Sequence, residues 1–456
     1  YPILRHHSRF LNRVMDLDFQ GNENSFKEYL NLFDKEQPTD INLLHGIITD
    51  LETTFKQFDD LKTNLFPIFS LIKLNFSLIT APDYYATGEY MQDLKVDNFG
   101  LIDGEFKNRI IQNFKTIKPY NRELFEKTES LKNFPFENMQ TSSKENLNLL
   151  RQKLAAEALI NIQQYKNDNL FYLEAPTGSG KTNISLAIAI KLLEGNSELN
   201  KIFYVFPFTT LITQTFKAIK ETLDIDNENI IQLHSKSGFH RQNEESNDGN
   251  YGASHLNFLN NHFVNYPITL LTHIKFFDIL KGNDKETNYI FHRLSNSIVI
   301  IDELQSYNPK HWDKIIYFLN NYAELFNMKI ILMSATLPKI DNLLSKDSLL
   351  RNKVRHLINP ENKSKYFQNI NFAGRVTFDF SILDKYDWKR PQTEEAKNTY
   401  LNYLVQKVYS ESESYAQQNN LKQNSVRTLI EFITKKSASA FLKLLQENEK
   451  FNAYKI

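Results

Sequence analysis

The sequence contains no cysteine, which excludes disulfides and thiolate metal sites and fits a reducing compartment. It has no excess of either charge: 54 basic side chains balance 54 acidic ones, so any surface for nucleic acid has to be a local patch. Long apolar runs are missing too. The longest, Leu65 to Thr80, is interrupted by Lys73 and Asn75 and is too short to cross a bilayer. The first residues do not read as a signal peptide. Together these absences point to a soluble, cytoplasmic protein with no membrane partner. Residue 1 is Tyr rather than Met, which reads as a cut N-terminus. Aromatic residues are plentiful: 35 Phe and 22 Tyr in 456 residues can fill the cores of two or three domains.

One stretch organises the rest. Leu170 to Leu173 is an apolar run that reads as a buried strand, and Ile184 to Leu193 reads as a helix. Between them lies Glu174-Ala-Pro-Thr-Gly-Ser-Gly-Lys-Thr182. A strand, a glycine-bearing loop and a helix N-terminus form a cradle for phosphates, because loop N–H groups and the positive helix end face the anion. Thr177, Gly178, Ser179 and Gly180 would line that cradle. Lys181 can reach the β- and γ-phosphates, and the Thr182 hydroxyl suits magnesium. Ala175 stands where the general pattern has its first glycine. The reading is a site for ATP or a similar triphosphate.

Downstream, strands and helices alternate as in a parallel sheet with crossover helices. Strands are expected at 201–206, 230–233, 268–271, 297–301 and 329–333. Asp302 and Glu303 follow the fourth of these, at the strand edge where such sheets bind ligands. Asp302 can hold magnesium, and Glu303 can orient or deprotonate an attacking water. Ser334 and Thr336 follow the last strand. Their hydroxyls can bond to the acidic cluster, with Gln305 beside it, and so couple the state of the phosphate to the rest of the lobe. The polar stretch 241–254 is expected to be a loop.

Upstream, the chain reads as helical to about Met139, with an apolar face of Leu65, Ile68, Phe69, Ile72, Phe76 and Ile79. The His6-His7 pair and Asp83, the latter just past this second helix, mix imidazole and carboxylate as a divalent metal site would. On these residues alone two readings stand: metal ligands, or packing histidines and a capping aspartate. Residues 89–140 carry little periodic signal and read as a boundary, followed by an amphipathic helix on Leu147, Leu150, Leu154, Ala158 and Ile162. Towards the C-terminus, strands are expected at 375–380 and 426–433, and helices at 394–409 and 437–445.

The set Ala175 to Thr182, Pro207-Phe-Thr-Thr210, Asp302-Glu-Leu-Gln305 and Ser334-Ala-Thr-Leu-Pro338 resembles superfamily 2 helicases. The Leu that follows Thr210, the His234-Ser235 loop and the Ser306-Tyr307 extension narrow this to the helicase–nuclease of type I CRISPR interference. The resemblance implies an α/β fold: a RecA-like lobe over residues 141–345, an all-helical HD-type nuclease part over 1–140, and a linker with the beginning of a second lobe over 346–456.

It further implies ATP and magnesium as cofactors, with manganese, nickel, cobalt or iron held by His6, His7 and Asp83. Single-stranded DNA and a CRISPR RNA-guided surveillance complex are the implied partners. Gln152 is expected near adenine, and Thr210 and Thr272 near the strand's phosphates. The family's earlier nuclease ligands and the second-lobe arginines have no counterpart here, so the sequence reads as the middle of a longer enzyme. Two other readings are a general superfamily 2 helicase with an accessory helical domain, and a nucleotide-switched binding module.

Overall fold

The computed structural model describes residues 65–93, 95–233, 251–282, 284–307, 311–335, 353–373, 393–422 and 425–451. The chain divides into two compact units, residues 1–375 and 376–456. The first is built on a seven-stranded sheet. Its strands are β1 (Leu170–Glu174), β2 (Lys201–Phe206), β3 (Ile230–Leu233), β4 (Ile268–Thr272), β5 (Ser297–Ile301), β6 (Lys329–Ser334) and β7 (Val354–His356). They lie in the order β3-β4-β2-β5-β6-β1-β7, and every pairing is parallel. Parallel sheets carry helices on both faces, and β1, β2, β4, β5 and β6 are buried along their whole length.

The period of two along each strand divides the interior into two cores. Phe171, Leu173, Tyr204, Phe206, Ile298, Ile300, Ile331 and Met333 face one. Tyr172, Phe203, Val205, Val299, Ile301, Ile330 and Leu332 face the other. Before the sheet come α1 (Leu65–Gln92), α2 (Gly104–Thr116), α3 (Pro119–Glu126), α4 (Thr128–Lys132) and α5 (Lys144–Gln164). Within it lie α6 (Lys181–Gly195), α7 (Thr209–Leu223), α8 (Tyr251–His262), α9 (His273–Lys281), α10 (Lys285–Asn288) and α11 (Trp312–Leu325). The unit ends with α12 (Pro360–Gln368) and α13 (Ile370–Ala373). The first core is closed by α2, α5 and α6, the second by α1, α9 and α11.

Three sequence expectations are corrected here. Asp83 does not follow a helix; it lies inside α1, which runs through Pro82 to Gln92. The proline removes one N–H, whose acceptor would be the carbonyl of Leu78. Leu78 is exposed, so water can take that carbonyl and the helix survives. Residues 89–140 are more than a boundary region, because α2 to α4 pack on the first core through Ile110, Phe114, Leu124 and Leu131. The sheet also continues past residue 345, where Leu170, Phe171 and Tyr172 pair with Val354, Arg355 and His356.

Three buried or half-buried polar groups fasten α1 to the lobe. Lys73 Nζ donates to the carbonyls of Ile279, at 2.9 Å, and Gly282. Ser77 Oγ donates to the carbonyl of Tyr289 at 2.9 Å, and Tyr85 Oη to Asn265 Oδ1 at 3.1 Å. Phe66 adds edge contacts to Tyr317, Phe318 and Tyr322 of α11.

The second unit contains α14 (Glu394–Gln418) and α15 (Lys435–Gln446), closed over Val405, Phe441, Leu445 and Phe451. Thr393 and Thr434 cap these helices, accepting from the N–H groups of Ala396 and Ser437. The strand expected at 426–433 does not form; that stretch carries no ladder among the described residues. The strand expected at 375–380 lies outside the described residues, as does most of the loop at 241–254. No helix among the described residues is long and apolar enough to cross a membrane.

Candidate nucleotide site

Because the sheet is parallel, β1, β5 and β6 end on one edge, and these three are neighbours or next neighbours in it. The loop after β1 is shaped by two glycines with positive φ, Gly178 at 81° and Gly180 at 83°. An L side chain at either position would meet the left-handed penalty of about 1–2 kcal/mol. Gly180 is the N-cap of α6, which directs the free N–H groups of Lys181 and Thr182 into the loop. Arg151, on α5, ties the loop down from outside by donating Nε to the Gly178 carbonyl at 2.8 Å. Sequence reasoning gave Arg151 no role, since the contact joins positions 27 apart. Thr177 is exposed at the tip and Ser179 is buried beneath it.

The acidic pair follows β5. Asp302 is almost fully buried, and burial, with the neighbouring Glu303 carboxylate, pushes its carboxyl up to about 6. Its Oδ1 accepts from the Glu303 N–H at 2.9 Å. That bond forms with Glu303 at φ 49°, ψ 48°, a left-handed conformation rare for a non-glycine residue and often found where a functional side chain must be aimed. Glu303 Oε1 stands 4.0 Å from Lys181 Nζ. Its other oxygen accepts from Gln305 Nε2, and Gln305 Oε1 accepts from Ser334 Oγ at 2.7 Å. A continuous line of contacts thus runs from Lys181 through Glu303 and Gln305 to the end of β6.

The remaining expected residues are placed as follows. Thr182 is half-buried on the first turn of α6; its carbonyl accepts from Ser185 Oγ at 2.9 Å, which lies 3.1 Å from Tyr204 Oη. Gln152 is buried on α5 and donates Nε2 to Glu123 Oε2 at 3.0 Å. Thr210 is exposed in the first turn of α7. Thr272 is buried and caps α9, accepting from the Lys275 N–H at 3.4 Å. Asp83 is exposed on α1. Thr336, His6 and His7 lie outside the described residues. Among the described residues no group of three or more His, Cys, Asp or Glu side chains is placed to hold a metal ion. Tyr204 was missed at the sequence level, although a tyrosine in a strand buried on both faces needs a partner for its hydroxyl.

Chemically, the edge offers a cation and loop N–H groups for phosphate, and a hydroxyl and a carboxylate for a hard divalent cation. These donors fit magnesium, which prefers oxygen ligands and is commonly held by one or two carboxylates together with substrate phosphates.

Residues 151–343 match the DEAD/DEAH box helicase family. The CRISPR-associated nuclease/helicase Cas3 of Haloferax volcanii is 27% identical over 191 residues, which cover 39% of this chain and 20% of that protein. Among solved structures, T. fusca Cas3–AMPPNP is similar over 42% of this chain and 22% of its own, at 19% identity and a TM-score of 0.32. The DEAD-box helicase Mss116 bound to ssRNA and UDP-BeF is similar over 46% and 40%, at 18% identity and a TM-score of 0.29. The chain thus spans about a fifth of the length of the Cas3 proteins it matches. With its parallel sheet and helices on both faces, the matched region has the RecA-like helicase fold.

Proposed function

Residues 151–343 being a DEAD/DEAH box helicase domain, we propose that the protein uses ATP to drive strand separation on DNA, as the helicase part of a Cas3-type helicase–nuclease in CRISPR interference. The observation that carries the ATP-dependent part is the line of contacts from Lys181 through Glu303 and Gln305 to Ser334. It links the group that would hold the phosphates to a strand end that could transmit their loss. The DNA and CRISPR assignments rest on the 27% identity to the Haloferax nuclease/helicase.

In this reading the loop N–H groups and Lys181 bind the β- and γ-phosphates, releasing Lys181 from Glu303. Glu303 then orients the attacking water and accepts its proton. Thr182 and Asp302 would hold magnesium, which when bound neutralises charge on the phosphate oxygens. Ser334 and Gln305 hold Glu303 in its left-handed conformation until hydrolysis changes what Glu303 faces. Gln152 reads adenine, and Thr210 and Thr272 lie along the DNA strand. Residues 1–140 supply the nuclease part, with His6, His7 and Asp83 as ligands for manganese, nickel, cobalt or iron.

A second reading has its own observation. The buried Lys73 and the Ser77 of α1 bond into the helicase lobe, as an accessory helix of a general helicase would. One experiment separates the two. Phosphate release and unwinding of a tailed duplex are measured with DNA and with RNA, and single-stranded DNA is incubated with manganese. The Cas3-type reading expects DNA-selective stimulation, with cleavage only when the family's earlier nuclease ligands are supplied, and Asp83→Ala then abolishing it. Stimulation with no cleavage even then leaves the accessory-helix reading, and no stimulation by either nucleic acid refutes both.

A further inference from the structure

Two large apolar side chains stand in solvent at the ligand-binding edge of the sheet. Phe208 is 60% exposed and Ile274 is 54% exposed. Exposed apolar residues scattered singly need no explanation, but these two are neighbours. Phe206 pairs with Thr272 across β2 and β4, and Phe208 and Ile274 each follow two positions beyond that pair. Adjacent strands lie about 4.8 Å apart, so the two residues leave the sheet side by side. Local structure keeps both out of the core. Phe208 is the N-cap of α7, at φ −132° and ψ 143°, so it falls off the helical row of Ile212, Thr215 and Ile219 that buries α7. In α9 the buried row is Phe276, Ile279 and Leu280. His273 packs its ring on Tyr307, with centroids 4.7 Å apart, and Ile274 is left facing out.

From this placement we infer that Phe208 stacks on a base of single-stranded DNA, with Ile274 extending the apolar platform beside it. The nucleotide takes the ends of β1, β5 and β6. In a helicase domain the β2–β4 end of the same edge, next to β5 in the sheet, is then left for the strand. The platform carries no charge, so it suits bases rather than phosphates, and every base offers a π face whatever its identity. Thr209 and Thr210, exposed next to Phe208 on the first turn of α7, supply hydroxyls for the adjoining phosphates. A base can lie on Phe208 only after leaving its partner in a duplex, so the platform favours the separated strand. The inference rests on the DNA reading above and extends it from the phosphates to the bases.

The test measures the affinity of a labelled oligothymidylate and of an abasic strand of the same length, which keeps the phosphates and lacks the bases. Both are titrated into the wild-type chain and into Phe208→Ala, Phe208→Leu and Phe208→Trp, with circular dichroism confirming the fold. Phe208→Ala and Phe208→Leu should bind oligothymidylate about fivefold or more weakly, the loss of one base–aromatic stack. Phe208→Trp should keep the wild-type affinity, and the abasic strand should bind all four chains alike. A role in shaping the loop alone would weaken both strands together and would overturn the inference. Wild-type binding of oligothymidylate by Phe208→Ala, or by Phe208→Leu, would overturn it as well and leave the exposed pair to a protein partner. In both cases the DNA reading stands. Failure of the wild-type chain to bind either strand instead refutes the DNA reading itself, and the inference with it.

Discussion

Replacing Glu303 by Gln is expected to tighten ATP binding while stopping turnover. Lys181 Nζ and Glu303 Oε1 stand 4.0 Å apart, so the lysine is shared with a carboxylate that the triphosphate has to displace. A bare pair at that distance would be worth ~4 kcal/mol at an effective dielectric constant of 20. The Glu303 side chain is 31% exposed, however, and pairs open to solvent typically measure ~0.2–1 kcal/mol. Taking the upper end, removal of the competing charge favours the nucleotide by ~1 kcal/mol, roughly a fivefold gain in affinity. The same change removes the neighbour that helps to push Asp302 up to about 6, which also favours an ionised cation ligand. Titration of a fluorescent ATP analogue reads the affinity, and phosphate release reads the turnover. A Glu303→Gln variant that binds several-fold more weakly, or that still turns ATP over at the wild-type rate, would refute the reasoning.

Three further outcomes follow from the same contacts. Ser334→Ala removes the donor to Gln305 and should leave ATP affinity intact while nucleic-acid-stimulated turnover or unwinding falls; equal unwinding per ATP in variant and wild type would count against the coupling role. Phe76 is fully buried between α1 and the sheet, so Phe76→Ala should destabilise the first unit by ~3–5 kcal/mol, seen as a lower denaturation midpoint of the nucleotide lobe itself. Burial brings Lys73 down to about 7 from the ordinary 10.5, so between those values the unfolded chain holds a proton that the folded chain lacks. Stability should therefore rise with pH across that window, by at most ~1.4 kcal/mol per unit from this group, and Lys73→Met should flatten the rise in a pH series of denaturant midpoints.

The glycine loop before α6, the position of the acidic pair after β5 and six of the seven strands were legible because each rests on local pattern. Strands buried on both faces of a parallel sheet read as continuous apolar runs, and a glycine loop before a helix reads the same in any context. What was hidden depended on neighbours. Val354–His356 has a single apolar residue and becomes a strand only because β1 offers it an edge. Val426 to Ile433 has the composition of a strand, yet Ile430 and Phe432 pack on the helices while Leu429 and Ile433 are 96% and 105% exposed; strand propensity without a ladder does not make a strand. Pro82 suggested a helix end because the local rule ignores what solvates the freed carbonyl. The contacts of Arg151 with Gly178 and of Tyr204 with Ser185 cross 27 and 19 positions, beyond any spacing argument.

The central claim is that the loop from Gly178 to Thr182 holds the phosphates of ATP through the Lys181 charge. Equilibrium titration of ATP with magnesium into the wild-type chain and into Lys181→Ala tests it most directly. A charged hydrogen bond contributes ~1.5–3 kcal/mol, so the variant should bind at least about tenfold more weakly, with its fold unchanged by circular dichroism. Wild-type affinity in Lys181→Ala would contradict the claim.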